Sequence, residues 1–478
     1  MKNLIGKNWC NSSDGKTIEV INPANGDLID TIPDSTLQDV DTCVKEAYAG
    51  QKIWEKYSIH ERGEILYKFK NLVMENKDYL AKLLSDETGK PIKEAIAEIN
   101  NINISVPAFV EQSRHMYDNV IPAGTEPGQE KTVQITTTSP VGVVVAIIPF
   151  NFPIDLFGQK VPSALVMGNS VIVKPSSANP LTLTKLVELL IEAGVPYGAI
   201  EVIHGRGSVV GQALSSNKGV NLVSLTGSTA AGIQTMATCA NNVTHVMLEL
   251  GGNDAFILDK DGDVDLAVEE VMWGRMYNTG QVCCASKRFL IHNSVKEEFT
   301  TKLINRLSQI KVGDPSSMES DMGCLISESA AIGVEEQVNK TVQAGAKILL
   351  GGLRYGAFYL PTVLTDVTRD MEVMKDMEIF GPVVPILGFD DIDEAIEIAN
   401  QSSFGLCGNI FTKDMKKAIK VANALECGGA VINGASFYRS FEMPFGGWKY
   451  SGIGNEGVMT TLKEMSRTKT IVLKNILD

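Results

Sequence analysis

The apolar run at residues 141–148, Val-Gly-Val-Val-Val-Ala-Ile-Ile, decides the fold class. It contains no polar position, so the strand that it predicts must be covered on both faces. Further apolar runs predict strands at residues 170–174, 200–203, 221–225 and 246–248. The segments between them have helical spacing, at residues 159–167, 181–193, 209–214 and from 230 onward. Strands that alternate with single helices join into a parallel sheet, which predicts a doubly wound α/β domain.

Other parts of the chain predict a second domain and a small β extension. Residues 288–433 alternate in the same way and predict a second α/β domain. In the first third of the chain, residues 40–57 and 61–87 have helical periodicity. A β-branched run at residues 132–138 predicts an exposed strand that leaves the main body, and residues 469–473 predict a terminal strand. Both strands would have unpaired edges in a monomer, so we expect subunits to pair there.

The composition excludes several classes of partner. The 478 residues carry a net charge of −14 and no polybasic stretch, whereas a nucleic-acid partner needs clustered cations. The longest apolar run is far shorter than the roughly 20 residues that cross a bilayer, and the first residues lack the apolar core of a signal peptide. The eight cysteines follow neither a disulfide framework nor a metal-ligand spacing. We therefore expect a cytoplasmic protein without a bound metal, most of whose cysteines are buried thiols.

Several polar or small residues follow the predicted strands, at the edge where parallel sheets bind ligands. Lys174 ends the second strand, Gly205 and Gly207 follow the third, and Gly227 and Ser228 follow the fourth at the start of a helix. The last two either cap that helix or present its free N–H groups to a pyrophosphate. Lys174 is either a solvated lysine or a donor to ribose hydroxyls. If the helix start binds a pyrophosphate and Lys174 binds ribose hydroxyls, these positions would together hold a dinucleotide.

Three further residues carry reactive chemistry. Asn151, after the first strand, is either a turn residue or an amide donor to an oxyanion. Glu249, after the fifth strand, is either a helix cap or a desolvated carboxylate, which is a better base than a free one. Cys283 is either a buried structural thiol or a nucleophile, because sulfur is reactive once it is ionised. The order of all these residues and their shared location favour the functional alternatives.

The chain resembles the aldehyde dehydrogenase superfamily over nearly its whole length. Seven motifs occur in the family's order with compatible spacing. They are Pro-Phe-Asn-Phe-Pro at 149–153, Lys-Pro at 174–175, Thr-Gly-Ser at 226–228, Glu-Leu-Gly-Gly at 249–252, Gly-Gln-Val-Cys at 280–283, Glu-Ile-Phe-Gly-Pro at 378–382 and Pro-Phe-Gly-Gly at 444–447. Each motif alone is weak or moderate, but seven in register exclude a chance match.

The resemblance implies a division of the chain into three parts. Residues 1–119 and 140–250 would form a cofactor-binding domain, and residues 251–448 a catalytic domain. Residues 120–139 and 465–478 would form a small β extension that joins subunits into a homodimer or a homotetramer.

The resemblance also implies catalytic roles. It assigns Cys283 rather than Cys284 as the nucleophile, because the family pattern is Gly-Gln-any-Cys. Asn151 and the backbone N–H of Cys283 would form an oxyanion hole, and Glu249 would act as the general base. The implied reaction is the NAD(P)-dependent oxidation of an aldehyde to a carboxylic acid through a thiohemiacetal and a thioester.

On the cofactor side, the resemblance implies that Lys174 binds the adenosine ribose and Glu378 the nicotinamide ribose, with Phe380 packed near the ring. Members that prefer NAD often have a glutamate at the position of Ser177, where it would repel a 2′-phosphate. Serine removes that repulsion. We therefore expect the cofactor to be NADP or NAD, with NADP accepted.

Two other functions compete with this interpretation. Members that transfer the acyl group to coenzyme A can have Phe at the position of Phe150, as here, but they commonly lack the glutamate that matches Glu249. The presence of Glu249 therefore favours hydrolysis over a coenzyme A-acylating semialdehyde dehydrogenase. A non-enzymatic structural relative would have no reason to keep Cys283, Glu249 and Asn151 together.

Arg439 and Cys284 each leave two alternatives. Arg439 precedes the last motif, in a region that lines the substrate tunnel of relatives. It either points inward, where it could pair with a substrate carboxylate, or lies exposed. The inward alternative favours a small polar aldehyde such as a semialdehyde or lactaldehyde. Cys284 either packs in the core or forms a reversible vicinal disulfide with Cys283 under oxidation.

Overall fold

The strands of the protein include those that the apolar runs predict and a further set at the N-terminus. The computed structural model describes residues 1–477. In the first half of the chain the strands are β1 (Asn3–Ile5), β2 (Asn8–Cys10), β3 (Thr17–Ile21), β4 (Leu28–Pro33), β5 (Val120–Ile121), β6 (Val133–Pro140), β7 (Val143–Ile148), β8 (Ser170–Pro175), β9 (Ile200–Val202), β10 (Leu222–Thr226) and β11 (His245–Glu249). In the second half they are β12 (Asp254–Leu258), β13 (Ser286–His292), β14 (Lys347–Leu350), β15 (Arg354–Tyr355), β16 (Phe358–Tyr359), β17 (Thr362–Thr365), β18 (Val383–Phe389), β19 (Phe404–Gly405), β20 (Cys407–Phe411), β21 (Gly429–Ile432), β22 (Trp448–Lys449), β23 (Gly452–Ile453) and β24 (Ser466–Leu473).

The helices include several that begin with a side chain bonded to a free backbone N–H group. The α-helices are α1 (Leu37–Trp54), α2 (Ile59–Glu75), α3 (Lys77–Thr88), α4 (Ile92–Asn100), α5 (Ile102–Ser113), α6 (Pro153–Val166), α7 (Leu181–Ala193), α8 (Gln212–Ser216), α9 (Thr229–Ala240), α10 (Val264–Val271), α11 (Asn293–Leu307), α12 (Glu328–Gln343), α13 (Ile392–Asn400), α14 (Met415–Ala424) and α15 (Val458–Glu464). The α1 helix starts with a reciprocal capping box between Thr36 and Asp39, and α2 starts with the same device between Ser58 and Glu61. These caps fix where each helix enters the domain.

The first sheet has the order β2-β1-β9-β8-β7-β10-β11-β23. The five strands from β9 to β11 in this order are parallel to one another. At one end β1 runs antiparallel to β9 and β2 antiparallel to β1, and at the other end β23 runs antiparallel to β11. Alternate residues of β7 lie in different cores: Val144 and Ala146 pack in the core of α5, α6 and α7, and Val143 and Val145 pack in the core of α1. Both faces of β7 are therefore covered, which is the reason for its uninterrupted apolar sequence.

A second sheet has the order β14-β17-β18-β13-β12-β20-β21 and is parallel except for β14. A separate ribbon joins β5, β6 and β24, with β24 antiparallel to β6 along eight residue pairs. The predicted fold class is confirmed: two α/β parts with parallel sheets and a small β extension. Among the residues described, there is no helix both long and apolar enough to cross a membrane.

The N-terminal third contains strands that the helical interpretation missed. Residues 3–33 form β1 to β4. Leu4 in β1 pairs with Val202, so β1 and β2 extend the first sheet, whereas β3 and β4 form a separate two-stranded sheet. The single helix predicted at 61–87 is also wrong, because it is two helices that meet at Asn76, whose φ and ψ of −100° and 11° are not helical. Strands of three residues are too short for a period of two to stand out in the sequence.

The helical segment that starts at residue 264 does not run regularly as far as the Cys283 loop. The α10 helix stops at Val271 and continues as one wide π-type turn over Met272–Met276. Asn278 and Thr279 then adopt left-handed conformations with φ of 50° and 54°. Such conformations are uncommon outside glycine and turn the chain sharply toward the residues that follow. The predicted helix at 159–167 starts earlier, at Pro153, where the fixed φ of proline suits a first helical position.

Candidate active site

The strand ends of the first sheet bring predicted residues together at one edge. Lys174 lies at the end of β8, and Glu249 at the end of β11 pairs with Thr226 in β10. Asn151 lies in the loop between β7 and α6, and Gly227 N donates to Glu249 O (3.0 Å). The carboxyl edge of the sheet is thus where the candidate residues of the first domain meet.

The loop that carries Cys283 closes over this edge from the second domain. The side-chain amide of Asn151 donates to Gln281 O (3.1 Å). On the other side, the buried Lys287 Nζ donates to Cys283 O (2.6 Å) and Gly252 O (2.7 Å). These bonds fix the backbone of the loop against both domains, so the sulfur of Cys283 lies between them.

The thiol of Cys283 is acidic. Its pKa is lowered from 9.0 to about 7, with a hydrogen bond from the Cys284 side chain as the largest cause. Burial opposes this shift, while the positive charges of Lys287 and Arg439 favour the thiolate. The residue itself is half-buried, and Cys284 behind it is buried with a pKa raised well above the ordinary value. A substantial fraction of Cys283 is therefore ionised at neutral pH.

The pKa of the Glu249 carboxyl group is shifted in the opposite direction to that of the Cys283 thiol. Only 5% of the residue is exposed, and its Oε2 has no hydrogen-bond partner among the described residues. Burial raises the pKa of Glu249 well above the ordinary value, and the nearby charges of Glu456 and Cys283 raise it further. The helix-cap alternative is wrong, because Glu249 ends a strand and its side chain caps no helix in the described chain.

A buried ion triad lies next to Glu249. Glu456 accepts from Lys160 Nζ (2.6 Å) through one oxygen and from Arg439 Nη2 (2.7 Å) through the other. The two cations hold the pKa of Glu456 at about 2 despite its burial. Arg439 also stacks on the Phe445 ring at 4.2 Å. Arg439 therefore points inward, which is the first of the two sequence-based alternatives, but it already has an acidic partner.

The Lys174 side of the edge is built for an anion or a hydroxyl-rich ligand. The ammonium of Lys174 is buried and donates to Pro175 O (2.9 Å), and burial lowers its pKa to about 8. No carboxylate pairs with it in residues 1–477. Ser177 Oγ donates to Gly205 O (3.0 Å), which holds the loop after β9 beside it. A buried cation without an anionic partner fits the ribose and phosphate groups of a dinucleotide.

Small and apolar residues border this part of the edge. Ser228 caps α9 by accepting from Ala231 N (3.3 Å), so the capping alternative holds for its side chain. A Cβ added to Gly207 would meet no atom within 4 Å, which leaves the backbone there open to a ligand. Val209 and Ile233 are exposed apolar side chains at the starts of neighbouring helical segments. Exposed apolar surface beside open backbone suits a flat base such as adenine.

Glu378 and Phe380 lie on the opposite side, near the Cys283 loop. The Glu378 carboxylate pairs with Lys287 Nζ (3.1 Å) and accepts from Gly252 N (3.3 Å). Phe380 meets the Phe150 ring edge-on, with 6.0 Å between centroids. Lys287 thus connects Glu378 with the backbone of the Cys283 loop. Sequence analysis did not single out this lysine.

Comparison with known proteins identifies the chain. A model described as "Aldehyde dehydrogenase family" matches residues 9–471. The chain belongs to the aldehyde dehydrogenase family. A 3-sulfolactaldehyde dehydrogenase of Priestia aryabhattai is 38% identical over 456 residues, which are 95% of this chain and 94% of the relative. A lactaldehyde dehydrogenase of Methanococcus aeolicus is 36% identical over 474 residues, which are 98% and 99% of the two chains.

Solved structures of the family agree with this assignment. The structure of a betaine aldehyde dehydrogenase from Staphylococcus aureus in complex with NAD+ has a TM-score of 0.96 at 34% identity, and the match covers 100% of this chain and 95% of that one. Structures that match at a similar level hold either NAD+ or NADP. This aldehyde dehydrogenase is therefore an oxidoreductase that acts on aldehydes with NAD or NADP as its cofactor.

Sequence analysis missed the charged residues near Cys283 and Glu249. Lys160 lies in α6, a helix that is buried at nearly every position, and a lone lysine in such a helix must have a partner. That signal was available in the sequence, but its partner, Glu456, lies 296 residues away. Lys90 is a second fully buried lysine, and it contacts the backbone of Asn151.

Proposed function

We propose that this aldehyde dehydrogenase oxidises a small polar aldehyde to a carboxylic acid by covalent catalysis at Cys283. The observation that carries the proposal is an acidic thiol beside a buried carboxyl group that lacks a partner. The pKa of Cys283 is lowered to about 7, and the pKa of Glu249 is raised well above the ordinary value. Titratable groups whose environments shift their pKa values in opposite directions suit two successive steps of one reaction.

In the first step, Cys283 Sγ bonds to the carbonyl carbon and the carbonyl π electrons move onto oxygen. Asn151 has two amide N–H groups, of which one donates to Gln281 O, so the second can donate to this oxygen together with the Cys283 N–H. When bound, the nicotinamide accepts the hydride that leaves the same carbon. As the hydride leaves, the electron pair on the oxygen re-forms the carbon–oxygen double bond, so the carbon becomes a thioester on Cys283.

In the second step, the unpartnered Oε2 of Glu249 removes a proton from water. The water oxygen attacks the thioester carbon, the carbon–sulfur bond breaks, and its electron pair returns to Cys283 Sγ. Because its pKa is raised, the Glu249 carboxylate is a stronger base toward water than an exposed carboxylate is. The presence of Glu249 as a base toward water supports hydrolysis of the thioester rather than transfer of the acyl group to coenzyme A.

We further propose how the cofactor is held. Lys174 would donate to the adenosine ribose, the start of α9 with Gly227 and Ser228 would face the pyrophosphate, and Glu378 would accept from the nicotinamide ribose. Phe380 would pack beside the nicotinamide ring. The absence of a carboxylate at position 177, where Ser177 donates to Gly205 O, supports acceptance of NADP as well as NAD.

The substrate proposal depends on charge. Lys160 and Arg439 share one carboxylate, that of Glu456, so the triad carries a net positive charge when all three groups are ionised. In residues 1–477, Glu456 is the one hydrogen-bond partner of the Arg439 guanidinium, and its remaining N–H groups can contact a substrate. This favours an aldehyde with a carboxylate, sulfonate or hydroxyl group near the reacting carbon. The names of the relatives, a sulfolactaldehyde and a lactaldehyde dehydrogenase, support the same class.

A panel of aldehydes tests both parts of the proposal. Succinate semialdehyde, lactaldehyde and propanal would be compared with purified protein, NAD and NADP, with and without coenzyme A. Cys283→Ala should abolish cofactor reduction with every aldehyde. Arg439→Met should lower kcat/KM about 10- to 100-fold for the acidic aldehyde and much less for propanal. The matched control is Arg369→Met, a surface change at a salt bridge to Glu397.

Two outcomes would contradict the proposal. Continued turnover in Cys283→Ala would contradict covalent catalysis. An equal decrease of kcat/KM for propanal in Arg439→Met would contradict the proposal that Arg439 contacts a substrate carboxylate. Formation of an acyl-coenzyme A product would contradict hydrolysis, because it would mean that the acyl group is transferred to coenzyme A.

We also propose that residues 120–139 and 465–478 pair between subunits in a homodimer or homotetramer, with 1–119 and 140–250 as the cofactor domain and 251–448 as the catalytic domain. The exposed apolar residues Val120, Ile471 and Val472 on the β5-β6-β24 ribbon support this arrangement. Light scattering of the protein after size-exclusion chromatography would measure the mass, and a monomer would contradict the pairing. A cytoplasmic location stays a prediction, supported by the free state of all eight cysteines.

A further inference from the structure

Lys90 is an unused charged residue directly beneath the proposed oxyanion donor. It follows α3 after Gly89, and its side chain is fully buried. Its ammonium forms an ion pair with Glu98, donates to Asn151 O (2.8 Å) and lies 4.3 Å from the centre of the Phe152 ring. Burial of an ammonium is costly unless its donors are satisfied, so these contacts determine where the lysine lies.

The Asn151 carbonyl that Lys90 contacts belongs to a closed set of hydrogen bonds. Asn278 Nδ2 donates to the same oxygen (2.9 Å). Asn278 is held in its left-handed conformation by its own N–H, which donates to Glu94 Oε2 (2.9 Å). The Asn151 side chain in turn donates to Gln281 O, two residues before the nucleophile. The orientation of the Asn151 backbone and that of the Cys283 loop are therefore linked.

We propose that Lys90 is a positioning residue for the oxyanion hole. It holds the Asn151 carbonyl, and thereby directs the free N–H of the Asn151 side chain toward the oxygen of an aldehyde bound to Cys283. The inference rests on the proposed role of Asn151. An oxyanion donor must lie about 2.7–3.1 Å from the developing charge, and removal of one such donor lowers kcat about 10²- to 10³-fold. A displaced donor should therefore lower kcat about 10- to 100-fold.

The alternative is that Lys90 only neutralises Glu98. Glu98 is itself buried, and its Oε1 accepts from Ile154 N (2.8 Å) at the start of α6. Lys90→Met alone would leave that carboxylate without its cation, which destabilises the fold and mixes the two effects. The double variant Lys90→Met/Glu98→Gln removes both charges, and its glutamine oxygen can still accept from Ile154.

The experiment compares Tm, kcat, KM and the Kd for NADPH in the single and double variants. Lys90→Met should lower both Tm and kcat, whereas the double variant should recover most of Tm and keep a kcat about 10- to 100-fold low. KM for the aldehyde and the Kd for NADPH should stay within about three-fold of the parent. Lys93→Met in α4, which breaks a surface salt bridge to Asp321, is the matched control.

A mutant cycle with Asn151→Ala separates the failure of this inference from that of the proposed oxyanion hole. If Lys90 acts through Asn151, the Lys90→Met/Glu98→Gln change should lower kcat much less in the Asn151→Ala background. A normal kcat in the double variant, or an undiminished loss in that background, would overturn the positioning role and leave Asn151 in place. A normal kcat in Asn151→Ala alone would instead overturn the oxyanion assignment.

Discussion

Replacement of Cys284 by alanine should make the Cys283 thiol less reactive at neutral pH. The hydrogen bond from the Cys284 side chain is the largest cause that lowers the pKa of Cys283 from 9.0 to about 7. Cys284→Ala removes the S–H donor and changes little else, because the site is buried and alanine fits within the space of cysteine. The positive charges of Lys287 and Arg439 remain, so part of the shift should survive.

The size of the effect follows from the fraction of thiolate. At pH 7 a thiol with a pKa of about 7 is about half ionised, whereas one with a pKa of 9.0 is about 1% ionised. Complete loss of the shift would therefore lower the thiolate fraction about 50-fold. Because two cations remain, we expect a decrease between about five-fold and about 50-fold at pH 7, and little change at about pH 9.5.

The assay is alkylation of Cys283 by iodoacetamide across that pH range. Loss of activity and the mass of the Cys283 peptide would be followed together, which separates this thiol from the other cysteines. Cys284→Ser keeps a donor and should titrate close to the parent. An apparent pKa near 7 in Cys284→Ala would refute the hydrogen-bond argument.

Four further predictions concern the base, its pH dependence, the cofactor and oxidation. Glu249→Gln should still give a burst of reduced cofactor and a thioester visible by mass spectrometry, with turnover lower by about 10²- to 10⁴-fold; no accumulation would contradict its role. In the parent, hydrolysis should accelerate as the pH rises, because the raised pKa of Glu249 puts its basic form on the alkaline side. Ser177→Glu should lower kcat/KM for NADP at least about ten-fold and spare NAD, whereas a parent with a strong NAD preference would contradict NADP acceptance. Cys284 is buried in an apolar cluster, which favours the packing alternative over the disulfide, so peroxide should inactivate Cys284→Ser at the same rate as the parent; protection or irreversible loss in Cys284→Ser alone would support the disulfide.

The parts of the fold that depend on local sequence could be predicted. The helix at 181–193 matches α7 residue for residue, and the five parallel strands at the centre of the first sheet lie within about two residues of their apolar runs, because burial on both faces leaves a continuous signal. Position at the strand ends also predicted that Lys174 and Glu249 lie at the same edge of the sheet. The left-handed Asn278 and Thr279 could not be predicted, since contacts with Glu94 and Asn151 from distant segments hold Asn278.

The charges of the site were hidden for a similar reason. An ion pair leaves no periodic pattern, and Lys160 and Glu456 are far apart in the chain. Arg439 was visible as a candidate, but its orientation depends on Glu456 and on the Phe445 ring. Composition and motifs therefore identify which residues can react, whereas the partners that set their ionisation need the folded structure.

The two buried carboxyl groups near Cys283 show why hydrogen-bond partners determine a pKa more than burial does. Glu456 and Glu249 are both almost fully buried, yet the pKa of Glu456 is about 2 and that of Glu249 is raised. Lys160 and Arg439 bond directly to Glu456, and neither bonds to Glu249. Glu456 therefore stays charged over the working pH range and takes no proton. Of the two carboxyl groups, Glu249 is the one that can exchange a proton with water, and the charge of Glu456 makes it a stronger base.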